Sequence, residues 1–105
     1  MVNDSHADLR DVVEAMLDIQ HCQTPAARDA ILLLLPHEMT SAIPRMLTAR
    51  MDVMSIVNTC ARYPGGLAAL VEAVRFFATG SSAMARLDAV VARLHGGPPG
   101  PQKIT

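Results

Sequence analysis

The 105 residues are one domain's worth of chain and half of them are apolar, so a single buried core is within reach and disorder is not the default. Aromatic residues are only 3% and tryptophan is absent, which argues against a β-sandwich or barrel, while a formal net charge of −1 gives no bulk attraction to nucleic acid or to an anionic membrane. Two cysteines, Cys22 and Cys60, are too few for a disulfide scaffold, and the polar opening MVNDSHADLR lacks the basic-then-apolar profile of a signal peptide, so the expected setting is a reducing cytoplasm.

Ala, Leu, Met and Arg dominate, and the fold class expected is all-α. Residues 5–20 open with Ser5 and Asp8, a capping-box-like pair with Asp in place of Glu, and then set Leu9, Val12, Val13, Met16 and Leu17 at helical spacing. Thr24 and Pro25 read as the N-cap and first residue of a second helix, running to about Leu35 with Ile31, Leu32, Leu34 and Leu35 facing inward, until Pro36 stops it. Its apolar run AILLLL is far short of the ~20 residues that span a bilayer.

Met39, Ala42, Ile43, Met46 and Leu47 keep a helical period through Pro44, which breaks the backbone, so a short helix near 37–43 with a further turn after it is expected. Asp52 reads as the N-cap of the next helix, whose stripe is Val53, Ile56, Val57 and Cys60 and whose end is Pro64-Gly65-Gly66. Leu67, Leu70, Val71, Val74 and Phe77 mark a fifth helix ended by Gly80. Ser81 caps the sixth, with Met84, Leu87, Val91 and Leu94 on one face. Residues 1–95 thus read as a compact six-helix bundle, and 96–105, GGPPGPQKIT, as a Gly/Pro-rich linker or tail.

The chemical motifs are few. A glycine-preceded helix start binds phosphate through free N–H groups and the macrodipole, yet Pro64-Gly65-Gly66 lacks the spacing and the lysine of a phosphate loop and follows no strand. A hinge accounts for each residue: Pro64 stops one helix, Gly65 takes the positive φ of a cap, and Gly66 lets the next helix start at a sharp angle. Cys60 lies on an apolar stripe and reads as an inert thiol; Cys22 beside His21 does not have metal-ligand spacing, and His6, His37 and His95 are scattered. No nucleophile-elbow, zinc-protease or paired-carboxylate pattern occurs, so neither an enzyme, a cofactor nor a metal site is expected.

Charge is unevenly spread. The first 18 residues carry five acids against Arg10, and the remainder five acids against eight bases. Asp8, Asp11, Glu14 and Asp18 fall on the outer side of the first helix, and Arg45, Arg50 and Arg62 in and around the fourth. These are either solvated faces or an acidic patch on one copy that meets a basic patch on another, a heterologous contact that closes into rings or extends as a filament. Phe76 falls off the stripe that takes Phe77 inward, and Met51 and Met54 sit beside their stripe; these are edge residues or part of an exposed binding patch.

The stretch ARMDVMSIVNTCARYPGGLAALVEAV, with the upstream TPAARDAILLLLP and the closing AMARLDAVV, resembles the bacterial effector-associated domains of the second type, in the Death-domain-like superfamily. The similarity covers about residues 7–94 and is strongest as DVxxIVxxCxxYPGGLxxLVxxV from Asp52 to Val74. It implies a Death-like six-helix bundle and an adaptor without catalytic activity, since such domains are fused to trypsin- or caspase-type proteases, nucleases and signalling NTPases in bacterial conflict systems and pair with like domains. The partner it implies is another effector-associated or Death-like domain, a second copy included, with no nucleic acid, membrane or small-molecule substrate. The competing reading is a small helical nucleic-acid-binding regulator with a helix-turn-helix around Pro64-Gly65-Gly66, although Leu67-Ala68-Ala69-Leu70 lacks the basic and amide side chains of a recognition helix.

Overall fold

The computed structural model describes residues 4–94, with side chains from Leu9 onward. The expectations for the side chains of Ser5, His6 and Asp8 fall on side chains that are not described, and those for His95 and the 96–105 tail lie outside the described residues. Six α-helices run in order: α1 (Asp4–Leu17), α2 (Pro25–Leu32), α3 (His37–Thr40), α4 (Ala49–Ala61), α5 (Gly66–Ala78) and α6 (Ser82–Leu94), with a 3₁₀ turn at Gln20–Cys22. The described residues contain no strand.

α1 lies against both α4 and α6, and α5 closes the bundle against α2, α4 and α6. Each long helix contributes one stripe at helical spacing: Val12, Val13 and Met16 from α1; Val53, Ile56, Val57 and Cys60 from α4; Leu67, Leu70, Val71 and Val74 from α5; Met84, Leu87 and Val91 from α6. All are buried in one apolar core, and each such side chain contributes roughly 1.5–3 kcal/mol before entropy is counted.

Side-chain caps set three helix starts. Thr24 Oγ1 accepts the Ala27 N–H at 3.1 Å, Thr48 Oγ1 that of Met51 at 3.3 Å, and Ser81 Oγ that of Met84 at 3.1 Å. The cap of α4 is therefore Thr48. Asp52, read from the sequence as that cap, lies a full turn inside the helix and is completely buried.

Two further expectations are corrected. α2 stops at Leu32, after which the Leu34 and Leu35 N–H groups donate three residues back, to Ile31 and Leu32, at 3.1 Å each. This tighter winding turns Leu34 outward with Leu33 and leaves Leu35 inside. Beyond α3 the helical period of Met46 and Leu47 is not used, because Pro44 offers no N–H and the chain instead wraps the side chain of Asp52, exposing both residues.

The joint between α4 and α5 is tight. Gly65 has φ +71°, a conformation costly for any residue with a Cβ, and it has open space around it. Gly66 is constrained by contact: a Cβ there would stand 2.1 Å from the Cys60 carbonyl oxygen.

Candidate interaction surface

The construction of the surface begins inside the protein. Asp52 projects from α4 toward α2 with its carboxylate fully engaged: Oδ2 accepts from Arg28 Nε and Arg45 Nη2, both at 2.7 Å, and Oδ1 from Arg45 Nε at 2.8 Å and the Met46 N–H at 3.0 Å. Arg28, itself 2% exposed, donates onward to the Cys22 carbonyl at 3.0 Å, and Arg45 to Asp29 Oδ1 at 2.7 Å. One buried carboxylate thus ties the 3₁₀ turn, α2, the α3–α4 segment and α4 together. Burial alone would raise its pKa, but the hydrogen bonds from Arg45, Met46 and Arg28 outweigh that and hold it well below the usual carboxylate range.

The same carboxylate shapes the outside. By gripping Arg45 and the Met46 N–H it bends residues 44–48 across the start of α4, and the Ser55 hydroxyl donates to the Pro44 carbonyl at 2.5 Å to hold the other side of the bend. Leu47, within this bend, is left 98% exposed, and Met46 at 40%, Met51 at 52% and Met54 at 44% line one groove beside it in the chain. These apolar side chains gather where α4 turns its outer face to solvent.

That face is bordered by two open grooves. One, of about 690 Å³ between α1 and α4, is lined by the apolar Leu9, Val13 and Met54 and by Arg10, Arg62 and the Glu14–Arg50 pair. The other, of about 310 Å³, lies between the 42–46 segment and α4 and is lined by Met46, Met51, Met54 and Arg62 among others. Met54, Asn58 and Arg62 line both, a ridge at helical spacing with Arg62 at the C-terminal end.

The residues singled out by charge are distributed differently from one another. Asp11, Glu14 and Asp18 are exposed along α1, and each is paired within the chain: Asp11 with Arg93 at 3.5 Å, Glu14 with Arg50, and Asp18 with Arg86. The acidic line of α1 is therefore flanked by bases of α4 and α6 in a single copy. Glu14 is held below its ordinary pKa chiefly by the Arg50 hydrogen bond. Arg45 belongs to the Asp52 cluster, with its pKa raised first of all by the Asp52 hydrogen bond, whereas Arg62 has no ion-pair partner among the described residues. Asp8 has no described side chain. Phe76 is 71% exposed on α5, away from α4's face, and meets edge-on Phe77, whose ring stacks on His21 at 4.3 Å.

Both thiols are buried, and burial pushes Cys22 up to about 12 and Cys60 up to about 11. Among the described residues no group of three metal-capable side chains gathers, and no helix is long and apolar enough to cross a membrane. What sequence reasoning missed is the Asp52 cluster and the loop it bends. The signal was present: Arg28 shares a stripe with Ile31, Leu32 and Leu35, and Asp52 one with Ile56 and Cys60, so each is an ion on an apolar face.

The described residues form an all-helical bundle. Residues 13–92 match the family model described as effector-associated domain 2, and the chain belongs to that family. No curated protein and no solved structure matches it.

Proposed function

We propose that this effector-associated domain is a non-catalytic adaptor that couples a sensor, NTPase or scaffold to an effector such as a protease or nuclease, by pairing with a like domain in cytoplasmic bacterial defence signalling. The observation that carries the reading is the groove between the 42–46 segment and α4, where Met46, Met51 and Met54 are exposed together beside Arg62, with the Glu14–Arg50 pair lining the adjoining groove. Thioether side chains adapt to varied apolar partners, and guanidinium groups at the edge select acidic ones. Ion pairs at such an edge contribute only ~0–1 kcal/mol each, so the apolar centre supplies affinity and the arginines supply partner choice.

The test is a binding titration of the chain against itself and against effector-associated domains encoded beside it. Met51→Glu and Arg62→Glu alter exposed positions, so melting temperature is expected to stay within a few degrees while partner binding is lost. Variants that bind as tightly as the parent chain would refute the assignment of this face, and a chain that binds no effector-associated domain at all would refute the adaptor reading.

A further inference from the structure

The chain has seven methionines, and those with described side chains fall into two sets. Met16, Met39 and Met84 are 2–3% exposed in the core, whereas Met46, Met51 and Met54 are 40–52% exposed and line one groove beside α4. The two cysteines, ordinarily the first targets of peroxide, are both fully buried. The oxidisable sulfur offered to solvent by the described residues is thus concentrated in a single groove, and it is the groove on which the adaptor reading rests.

We infer that Met46, Met51 and Met54 form a reversible oxidation site, at which hydroperoxides convert the α4 face from an apolar docking surface to a polar one without unfolding the domain. In the forward step a thioether sulfur attacks the terminal oxygen of the hydroperoxide. The O–O bond breaks as the S–O bond forms; sulfur is oxidised by two electrons, the peroxide is reduced, and the remaining oxygen leaves with the proton as water or an alcohol. A dithiol-using sulfoxide reductase reverses the step, oxidising two thiols to a disulfide and releasing the oxygen as water. Each sulfoxide replaces an apolar thioether by a strong, hydrated acceptor in a groove lined by Ala42, Pro44 and the methionines beside Ser55, Asn58, Thr59 and Arg62, so an apolar partner side chain seated on the oxidised sulfur must first strip water from that acceptor. The core methionines are withheld from the reaction by packing, which is why the fold survives it.

The experiment treats the purified full chain with dilute hydrogen peroxide and reads it four ways. Peptide mapping is expected to find sulfoxide at residues 46, 51 and 54 at least tenfold faster than at 16, 39 and 84, with an unchanged helical circular-dichroism spectrum. The oxidised chain is expected to leave a phenyl column earlier and to bind its partner domain, or a second copy, at least tenfold more weakly. Sulfoxide reductase restores both properties, and the triple variant Met46→Leu, Met51→Leu, Met54→Leu is expected to show the same column retention and the same partner affinity before and after peroxide, whatever that affinity is; a peroxide response in this variant overturns the inference. Oxidation of core and groove methionines at equal rates, or a sulfoxide-bearing chain that docks like the untreated one, overturns the inference. An untreated chain that docks nothing while mapping remains selective instead overturns the adaptor reading and supports the reactive site by itself.

Discussion

Replacing Asp52 by asparagine preserves the outline of the side chain and removes its charge. Four donors converge on the carboxylate, from Arg28, Arg45 twice and the Met46 N–H. An amide supplies one oxygen for them and turns two N–H donors of its own toward the rest, so the Arg28 guanidinium, 2% exposed, loses its counter-ion in the core. Breaking a buried pair in this way costs about 3–5 kcal/mol, a large part of the ~5–15 kcal/mol that holds an average domain together. At ~4–8 °C per kcal/mol for a chain near this size, the melting temperature is expected to fall by roughly 12–40 °C. Thermal and urea unfolding followed by circular dichroism measure it. The triple replacement Arg28→Met, Arg45→Met, Asp52→Leu removes the three charges of the cluster together and is expected to recover more than half the loss, since well-packed apolar groups often replace buried ion pairs or triads without penalty. An Asp52→Asn chain within ~0.5 kcal/mol of the parent, a normal surface-substitution effect, would show the reasoning to be wrong. The pH dependence has a definite sign: a carboxyl whose folded pKa is depressed gives its full stabilisation above its unfolded value of about 3.9, and this is lost only as pH falls toward the folded value.

Three other outcomes are expected. Gly66→Ala forces a Cβ onto the Cys60 carbonyl and should cost about 1–3 kcal/mol or more, whereas Gly65→Ala meets open space and pays only the ~1–2 kcal/mol of left-handed backbone; equal or reversed costs in urea unfolding would contradict the packing of the joint. Because burial holds Cys22 and Cys60 protonated to about 12 and about 11, while unfolded thiols ionise near ~8.5, stability should decline as pH rises past that unfolded value, and a Cys60→Ala, Cys22→Ala chain should show a shallower alkaline loss in the same melts. Glu14→Gln should leave the melting temperature within a few degrees, since the Arg50 pair is exposed on both sides; a drop above 10 °C would show that this surface pair supports the α1–α4 contact.

Much of the fold was legible because helices advertise themselves locally. The stripes of α1, α4, α5 and α6 need only the 3.6-residue period, and the caps at Thr24 and Ser81 need only the residue beside the first turn. The hinge residues Pro64, Gly65 and Gly66 carry their conformational meaning in their own covalent structure. What was hidden depends on residues distant in the chain. Asp52 looks like a cap because an acid before Val-x-x-Ile-Val satisfies a local rule, and only the approach of Arg28, 24 residues earlier, turns it into a buried ion. The exposure of Met46 and Leu47 follows from that same carboxylate, so an error about Asp52 carried over to the loop. Asp11 and Glu14 of α1 and Asp18 just after it are exposed as read from the period, but their partners Arg93, Arg50 and Arg86 come from two other helices and no spacing rule pairs them.

The cluster around Asp52 also bears on how this sequence is free to drift. A position that satisfies one neighbour mutates alone, but here residues 28, 45 and 52 answer to a shared centre, and exchange of Asp52 in isolation strands both arginines at once. Homologous chains should therefore keep the trio intact or discard its charged members together, and the intermediate combinations should be rare.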